Sequence, residues 1–419
     1  MEIKKPKGTN DILPEEVGKW HYLENLLREK SETYGYKEIR TPMFEHTELF
    51  VRGVGDTTDI VGKEMYTFMD KGERSITLRP EGTASVCRAF LENKMYGDGS
   101  IKKLYYMGPM FHYERPQRGR YKQFNQYGVE FLGSKEPVTD ADVIKFAVSL
   151  LDETGLKDLE LHINSVGCPK CKPVYREALV EYFQDKKDQL CSSCLERLEK
   201  NPLRILDCKN ESCKEASKDA PVMSDYLCEE CDPHYKEVKE YLSVSNVSFI
   251  ENPRLVRGLD YYTNTAFEII AKDFAAQGTV CGGGRYNGLV GSIGDRDVPG
   301  IGFAMGMERI LLLMEEKNLS VDSERTLDYY IIGMGSEAEK LSFKLVNLLR
   351  ENSYYAEIDY QSKSFKNRIK YADKLKAKYV IIIGENELEK NTVIIKDMEA
   401  GIQEEQDLTI FMNNLKGEQ

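Results

Sequence analysis

The chain has 419 residues, of which 41% are hydrophobic and 31% charged, and its formal net charge is −12. This length suggests roughly three domains, and the composition is typical of a globular protein with a sizeable core. The N-terminal MEIKKPKGTNDILPEE has no apolar signal region, and no apolar run reaches the ~18 residues that span a bilayer. We therefore expect a cytoplasmic protein without membrane segments. The acidic charge argues against general attraction to nucleic acids, so a polyanion would have to bind local basic patches.

The first part of the chain predicts helices and strands separated by Pro and Gly. A helix is expected from Val17 to about Tyr34, and YKEIRTPMFEHTELF then reads as a strand interrupted by Pro42. SITLRPEGTASVCRAFLEN predicts a strand, a Pro-Glu-Gly-Thr turn and a helix.

The stretch from Tyr105 to Glu130 predicts a β-hairpin. LYYMGPMF and YKQFNQYGVEF both alternate like strands, and RPQRGR between them has the Pro and Gly of a loop. Such a hairpin places acids, arginines and an aromatic ring on one face, a set able to hold a triphosphate, stack a purine and bind a small amine or imidazole. The residues of this set are Glu114, Arg120, Phe124, Gln126 and Glu130.

The later segments predict an insertion and a second unit. A helix near Asp140 to Thr154 and the strand LELHINS precede a cysteine-rich, charged, helical region, 168–240, which interrupts the first unit. GTVCGGGRYNGLV predicts Gly-rich turns, VPGIGFAMGMERILLLMEE a strand and helix, and Glu316 to Thr326 a linker. Strands and helices then alternate, which indicates a small α/β domain with a largely parallel sheet.

Several motifs together resemble the class II aminoacyl-tRNA synthetases. The strand with Pro42, the charged hairpin and GIGFAMGMERI are similar to the three signature motifs of that class, and LVRGLDYYT with GGGRYNGL resembles the histidyl-tRNA synthetase family. The resemblance covers essentially the whole chain. It implies an α+β catalytic domain over 1–325, an antiparallel sheet flanked by helices, with the 168–240 insertion, and an α/β anticodon-binding domain over 326–419.

The resemblance also implies an activity. Histidine would be activated with ATP to histidyl-adenylate and pyrophosphate, and then transferred to the 3′ end of tRNA(His). The first step needs little acid–base chemistry, so arginines, Mg²⁺ and positioning should dominate. The implied partners are tRNA(His), L-histidine, ATP with Mg²⁺ and a second copy of the chain, because the Pro42 segment forms the dimer interface in this family.

Site residues follow motif by motif from the resemblance. Arg257 and His112 are the predicted catalytic residues. The predicted histidine-binding residues are Glu81, Gly82, Thr83, Gln126, Glu130, Arg257, Tyr261 and Tyr262. The predicted ATP-binding residues are His112, Glu114, Arg120, Phe124 and Arg309. The predicted tRNA contacts, in the basic segments Arg115 to Lys122 and Lys363 to Lys378, are Arg118, Lys122, Lys366 and Arg368.

Each motif also has a purely structural interpretation. PEGT could be a helix start capped by Thr83, and the glycines of GIGFAMGMERI could serve close packing. RGLDYYT could be a solvated turn, Pro42 an edge marker, and SKSFKNRIKYADKLKAK a solvated helix face. The ordered occurrence of all of them favours the synthetase.

His112 departs from the family pattern, which has arginine after the Phe of this motif. Imidazole offers at most two donors and is largely neutral at pH 7, whereas a guanidinium can hold the α-phosphate with two hydrogen bonds. Three explanations stay open: a slowed synthetase helped by Arg257 or Arg115, an inactive paralogue, or a deliberate substitution. We favour the first. The runner-up is a regulatory subunit that binds histidine without charging tRNA, and the third hypothesis is an RNA-binding paralogue.

Eight of the ten cysteines lie in the insertion and predict structural zinc. They form four pairs with chelating spacing, which in a cytosolic chain favours metal over disulfides. Free thiols and a redox role are the alternatives, and the sequence leaves the pairing open between one site and two. The predicted ligands are Cys168, Cys171, Cys191, Cys194, Cys208, Cys213, Cys228 and Cys231, whereas Cys87 and Cys281 read as core residues.

Overall fold

The computed structural model describes residues 2–55, 58, 60–272, 278–319, 325–361 and 364–417. The chain divides into two compact units, Met1–Val321 and Asp322–Gln419. The predicted linker, Glu316 to Thr326, lies across this division, and part of it (320–324) lies outside the described residues.

The strands of the first unit extend over most of its length, from Lys37 to Gly306. They are β1 (Lys37–Glu38), β2 (Phe44–His46), β3 (Tyr66–Met69), β4 (Ser75–Leu78), β5 (Lys102–Phe111), β6 (Gln123–Leu132), β7 (Leu159–Ser165), β8 (Ile250–Glu251), β9 (Thr263–Ala271), β10 (Thr279–Arg285) and β11 (Gly300–Gly306).

The helices of the first unit surround these strands and build the insertion. They are α1 (Pro14–Thr33), α2 (Thr47–Val54), α3 (Thr83–Glu92), α4 (Pro137–Glu153), α5 (Cys171–Gln184), α6 (Ser192–Lys200), α7 (Glu211–Ala216), α8 (Cys231–Val244), α9 (Leu289–Ile293) and α10 (Met307–Glu316). Short 3-10 turns at Lys187–Gln189, Pro202–Ile205 and Met223–Tyr226 link α5 to α8, and Ile60–Glu64 is a π-helical turn.

An eight-stranded sheet forms the centre of the first unit. Its order is β1-β5-β6-β11-β10-β9-β7-β8, antiparallel in the middle and parallel only at the two edge pairs. The predicted hairpin is confirmed, because β5 and β6 pair in register from Lys102 opposite Leu132 to Phe111 opposite Gln123. The predicted α+β class is therefore confirmed.

Two layers of side chains cover the sheet. Tyr105 packs into a core with residues of α1 and α4, where the Phe146 and Phe303 rings lie 5.7 Å apart. Its neighbours Leu104 and Tyr106 pack on the opposite face, against residues of α3 and α9. Because successive side chains of a strand point to opposite faces, Phe124, Gln126 and Glu130 of β6 share one face of the sheet.

Two local predictions were wrong. The segment from Thr47 is helix α2 rather than strand, because Leu49, Phe50 and Val54 follow a helical period that buries them. The glycines of GTVCGGGR form strand β10 rather than turns.

The glycines of β10 lack side chains because neighbours occupy the space. A Cβ atom on Gly282 would lie 2.5 Å from the Arg257 guanidinium, and one on Gly283 would lie 2.3 Å from the Gly302 carbonyl oxygen. Close approach, rather than a turn, therefore requires glycine at these positions.

The second unit is a mixed α/β layer. Its strands are β12 (Tyr329–Gly333), β13 (Ala356–Ile358), β14 (Tyr379–Ile383), β15 (Thr392–Asp397) and β16 (Gln403–Asp407), and its helices are α11 (Ser336–Glu351), α12 (Phe365–Lys374), α13 (Glu385–Lys390) and α14 (Leu408–Gly417). The sheet order is β13-β12-β14-β15-β16. The first three strands are parallel as predicted, whereas β15 and β16 add an antiparallel hairpin.

None of the helices in the described part of the chain is both long enough and apolar enough to cross a bilayer.

Candidate active site

Glu130 of β6 is the buried acid of the predicted histidine pocket. Its carboxylate accepts a hydrogen bond from the Tyr286 hydroxyl and is 1% exposed. Gly302 on the adjacent strand leaves room for it, since a Cβ there would lie 2.3 Å from Oε2. Burial raises the pKa of Glu130 to about 8, and the Tyr286 hydrogen bond offsets only part of that effect. The pocket therefore holds a carboxyl group that is readily protonated.

Glu81 lies two residues before helix α3. Its carboxylate accepts hydrogen bonds from the backbone N–H groups of Thr83 (2.7 Å) and Ala84 (2.8 Å), so it is Glu81, rather than Thr83, that caps this helix. Burial raises the pKa of Glu81, and these two hydrogen bonds oppose the rise. Thr83 is buried beside it, and interaction with the Thr83 hydroxyl favours the ionised forms of both Glu81 and Glu130.

Tyr106 joins this pocket although the sequence did not identify it. Its hydroxyl donates to Oε1 of Gln126 at 3.3 Å. A Cβ on Gly82 or on Gly128 would lie 2.3 Å from Tyr106 atoms, so both glycines make room for this ring. Gly82 and Gly128 are visible in the sequence, but their common relation to Tyr106 can be recognised only from the three-dimensional structure.

The RGLDYY segment adds two tyrosines and an arginine. The Tyr261 and Tyr262 rings lie 4.7 Å apart, and the Arg257 guanidinium lies 5.4 Å from the Tyr262 ring centre. Arg257 also pairs with Glu268 of β9. Burial disfavours its charge, but Glu268 and Tyr262 outweigh that effect and raise the pKa of Arg257. Arg257 therefore stays a cation beside the pocket.

A second cavity, of about 170 Å³, lies at the loop end of the hairpin. Its lining contains every predicted ATP-binding residue together with further residues of the loop and of α10: His112, Glu114, Gly119, Arg120, Tyr121, Phe124, Gly306, Glu308 and Arg309.

The two arginines of this cavity create a site for a polyanion. Arg120 pairs with Glu114 through a 2.5 Å contact. Burial and the nearby Arg120 charge lower the pKa of Arg309, so the two cations repel each other. A triphosphate would relieve this repulsion because its oxygens can accept from both guanidinium groups.

A hydrogen-bonded chain connects the two pockets. Arg309 donates to the Thr279 carbonyl oxygen, and the Thr279 hydroxyl donates to Glu268 at 3.1 Å. Glu268 in turn pairs with Arg257. The sequence missed Glu268 and Thr279 because this chain of contacts depends on the β9–β10 register.

Glu308 is another member of the cavity that the sequence did not single out. Both of its carboxylate oxygens accept from the Asn125 backbone N–H, at 2.8 and 2.9 Å. Burial raises the pKa of Glu308 to about 7 despite these bonds. Glu308 thereby holds α10 against β6, which places the next residue, Arg309, in the cavity.

His112 occupies the position at which the family has arginine. Its Nε2 lies 2.8 Å from the Pro80 carbonyl oxygen. Because that oxygen can only accept, we assign the proton to Nε2, which leaves a lone pair on Nδ1. Burial lowers the pKa of His112, although Glu114 opposes this. A neutral imidazole therefore occupies this position.

Two carboxylates face the other side of that imidazole. Nδ1 of His112 lies 3.8 Å from Glu64 and 4.0 Å from Glu114. The ligand atoms of these three residues lie within 4.8 Å of one another. Carboxylates suit Mg²⁺, so this group fits the Mg²⁺ expected with the predicted ATP substrate.

The residues predicted to contact tRNA differ in their exposure and in the contacts that they already make within the protein. Arg118 is exposed and pairs with Glu316 at 2.9 Å, and the Lys122 ammonium lies 4.1 Å from the Tyr113 ring centre. Lys366 of α12 is exposed. Arg368, in contrast, pairs with Asp359 and donates to the Gly333 carbonyl oxygen. Lys363, at the start of the predicted basic run, lies outside the described residues.

The insertion cysteines form two groups of four. The proximal cluster contains Cys168, Cys171, Cys228 and Cys231, and the distal cluster contains Cys191, Cys194, Cys208 and Cys213. In each group the sulfur atoms lie within 4.8 Å of one another. All eight are free thiols, as are the buried core residues Cys87 and Cys281.

Comparisons with known proteins agree over the whole length. A family model described as Histidyl-tRNA synthetase matches residues 8–310, and one described as Anticodon binding domain matches residues 328–418. The histidine–tRNA ligase of Desulforamulus reducens is 54% identical over 98% of this chain and 99% of that protein. That of Halothermothrix orenii is 52% identical over 97% of each. The crystal structure of apo Staphylococcus aureus histidyl-tRNA synthetase superposes with a TM-score of 0.84, at 45% identity over 99% of this chain and 100% of that one. The chain therefore belongs to the histidyl-tRNA synthetase family.

Proposed function

We propose that this protein activates L-histidine with ATP, releasing pyrophosphate, and then transfers histidine from the adenylate to the 3′ end of tRNA(His). One observation carries the proposal: a buried acid-and-tyrosine pocket and a two-arginine cavity are linked through Arg257, Glu268, Thr279 and Arg309. Two substrates that must react with each other would thus be held by one network.

The first pocket suits histidine. Glu130 and Tyr262 hold the imidazole, which in its neutral form donates from one nitrogen to the Glu130 carboxyl group and accepts at the other from the Tyr262 hydroxyl. Glu81, Thr83 and Gln126 receive the ammonium group, while Gly82 makes room for Tyr106. Tyr261 packs against Tyr262 and Tyr286, at centroid distances of 4.7 and 5.9 Å. An amino acid without the imidazole would leave buried polar groups unpaired.

The second cavity suits MgATP. Arg120 and Arg309 hold the γ-phosphate, Phe124 stacks on the adenine, and Glu114 lies beside the metal. Arg257 approaches the α-phosphate and the histidine carboxylate. That carboxylate attacks the α-phosphorus and pyrophosphate leaves, so the arginines stabilise charge that spreads over phosphate oxygens.

His112 supplies less than the family's arginine at the α-phosphate. A neutral imidazole offers one donor, and in this protein the Pro80 carbonyl oxygen occupies that donor. We therefore propose a working enzyme in which Arg257 carries more of the α-phosphate charge. The regulatory-subunit hypothesis is not favoured, because the anticodon-binding domain is present and the relatives are ligases over their full length.

tRNA contact is proposed for Arg118 and Lys122 in the hairpin loop and for Lys366 on α12. Arg368 is already held by Asp359 and Gly333, so we propose that it positions α12 in addition to contacting tRNA. The insertion cysteines are proposed to hold structural zinc, which would stabilise the insertion rather than take part in catalysis.

We also propose that the protein acts as a homodimer in the cytoplasm. Four large apolar side chains in and just before the three-stranded sheet β2-β4-β3 are each about half exposed, namely Met43, Phe44, Phe68 and Met69. Phe44 and Phe68 share one face of this sheet, because the residues opposite them on β4, Leu78 and Ile76, are two positions apart. An exposed apolar face of this kind is typical of a protein interface.

Histidine-dependent ATP–pyrophosphate exchange tests the activity directly. We expect exchange with histidine and none with other amino acids, followed by acylation of tRNA(His). Arg309→Ala should lower the exchange rate about 100-fold or more, since it removes a preorganised cation from the phosphate site. Absence of exchange in the native protein, with histidine binding retained, would contradict the proposal and favour a regulatory role.

A further inference from the structure

We propose that the insertion binds two Zn²⁺ ions, one in the proximal and one in the distal cluster, and that the metal-held insertion positions the RGLDYY loop. The sequence left the cysteine pairing open. The structure nests the pairs: the outer two form the proximal cluster and the inner two form the distal cluster.

The sulfur separations match tetrahedral zinc. A Zn–S bond of about 2.3 Å in a regular tetrahedron places the sulfurs about 3.8 Å apart. Cys168 lies 3.6 Å from Cys171 and 3.8 Å from Cys228, and Cys191 lies 3.9 Å from Cys208. A disulfide needs about 2.05 Å, so these sulfurs are too far apart for one.

The local backbone is arranged as thiolate ligands require. In the Cys168, Cys191 and Cys228 turns, the carbonyl of the first cysteine accepts from the second cysteine's N–H at 2.9–3.0 Å. Backbone N–H groups also donate to sulfur: Cys228 to Cys171, and Cys191 to Cys213, both at 3.2 Å. Such donors stabilise negative sulfur, as outer partners of metal ligands do.

The small apolar core of the insertion suggests that metal ions contribute to its stability. Its own apolar core is small and includes four of the cysteines, Cys171, Cys194, Cys213 and Cys231. Small units with limited cores are usually stapled by disulfides or metal, and the cysteines of this insertion are free thiols. Two metal ions would supply the missing cross-links.

The proximal cluster reaches the histidine pocket through adjacent residues. Lys172, which follows ligand Cys171, donates to the Tyr262 carbonyl oxygen at 2.6 Å. Asn264, two residues after Tyr262, donates from its side chain to the Cys231 sulfur at 3.3 Å. Its backbone N–H also donates to the Gly167 carbonyl oxygen at 3.0 Å, next to ligand Cys168. The loop is therefore fastened to this cluster at several points.

The distal cluster fastens the other end of the loop. Asn201 and Arg204 lie between ligands Cys194 and Cys208. Asn201 donates to Asp260 at 3.1 Å, and Arg204 donates to the Gly258 carbonyl oxygen at 3.0 Å. Loss of either metal would loosen the segment that carries Tyr261 and Tyr262. This positioning role rests on the proposed histidine site.

Metal content is the first test. Native protein purified without chelators should contain two Zn²⁺ per chain by mass spectrometry, and Cys208→Ser/Cys213→Ser should contain one. Cys87→Ala, which changes a core cysteine outside the insertion, should keep two. Native protein with fewer than two Zn²⁺ would overturn the proposal. If the double variant does not fold, Co²⁺ titration of zinc-depleted native protein decides, since thiolate–Co²⁺ absorption should saturate at two ions per chain.

The positioning role has its own test. Lys172→Met should weaken histidine binding about fivefold or more by calorimetry, change ATP affinity less than about twofold, and leave both Zn²⁺ in place. Lys172→Arg should restore most of the loss. Lys187→Met, an exposed lysine of the same insertion, is the matched control. Unchanged histidine affinity in Lys172→Met would refute the positioning role.

The zinc measurement is independent of the proposed activity, and the Lys172 test depends on histidine binding but not on pyrophosphate exchange. Two Zn²⁺ and histidine binding without pyrophosphate exchange would refute the ligase activity and leave the metal sites standing. Full pyrophosphate exchange in a protein without zinc would support the ligase activity and refute the metal sites.

Discussion

His112 is a residue whose surroundings limit what its side chain can supply. The Pro80 carbonyl oxygen occupies its N–H, and burial keeps the ring neutral by lowering its pKa. In the proposed ATP complex the α-phosphate would therefore lack the two-donor cation that an arginine provides. This residue, rather than the pocket around it, should limit the activation step.

We expect His112→Arg to accelerate histidine-dependent ATP–pyrophosphate exchange about tenfold or more. A guanidinium adds a permanent charge and donors at the α-phosphate, and one preorganised donor of this kind typically changes the rate by about 100-fold. His21→Arg, on the exposed face of α1, adds the same charge elsewhere and should leave the rate unchanged. An equal or slower rate in His112→Arg would contradict this prediction and show that the imidazole does not limit the activation step.

Glu130 should make the unliganded protein less stable as pH rises. Its pKa is raised from 4.5 to about 8, so the folded form holds a proton that the unfolded form releases. The stability that protonated Glu130 gives the folded state relative to its ionised form is fully present below pH 4.5 and is lost as pH rises toward 8. The free energy of unfolding should fall by on the order of 3–5 kcal/mol over this range.

Glu130→Gln should remove that component, because the amide resembles the protonated acid and does not ionise. We expect urea unfolding of the variant, measured from pH 5 to 9 without histidine, to show a flatter pH dependence than the native protein. Glu29→Gln, at an exposed position of α1, is the control. Parallel pH profiles for native and Glu130→Gln proteins would contradict the assignment.

Motifs predicted the candidate site residues that local sequence positions, such as Glu81 in PEGT and Arg309 in GMER. Residues that act across strands were missed. Tyr106 and Glu268 enter the site through the register of β5, β9 and β10, and periodicity does not determine register between distant segments.

At the level of elements, alternation and turn residues predicted the β5–β6 hairpin well. β10 was missed because three consecutive glycines signal turns, and only the neighbours that fill their space explain the strand. Helix α2 was missed because its eight residues are short for a periodicity argument.

One buried ion pair ties the sheet to its helical layer. Arg285 of β10 and Asp140 of α4 are both fully buried, and Nε of Arg285 donates to the two Asp140 oxygens at 3.0 and 2.9 Å. Arg285 also donates to the Ser134 and Glu136 carbonyl oxygens. Removal of the carboxylate would leave the guanidinium charge balanced only by these two carbonyl dipoles.

Asp140→Ala should lower the free energy of unfolding by about 3–5 kcal/mol, because it leaves a buried guanidinium without its counterion. Asp140→Ala/Arg285→Met should recover part of that loss in the same urea experiment. Glu48→Ala, which breaks the exposed pair with Arg52, should have little effect. A loss below about 1 kcal/mol in Asp140→Ala would mean that other groups compensate the charge.

At the level of the whole molecule, the net charge of −12 requires that tRNA meet local basic surfaces. Helix α12 offers Lys366 and Lys370, both exposed, while Arg368 between them is held by Asp359. The sequence predicted this basic run but could not distinguish its exposed lysines from its structural arginine, because that distinction depends on the contact with Asp359.

The two units should divide the reaction, since every residue proposed for histidine activation lies in the first unit. We expect Lys366→Glu/Lys370→Glu to lower kcat/KM for tRNA(His) about tenfold or more, with a weaker salt dependence, because two phosphate contacts are reversed in charge. Histidine-dependent pyrophosphate exchange should stay within about twofold of the native rate. Lys340→Glu/Lys344→Glu, on α11 of the same unit, makes the same charge change at other lysines and should affect aminoacylation much less. Equal losses in the two double variants would show that net charge, rather than the surface of α12, governs tRNA binding.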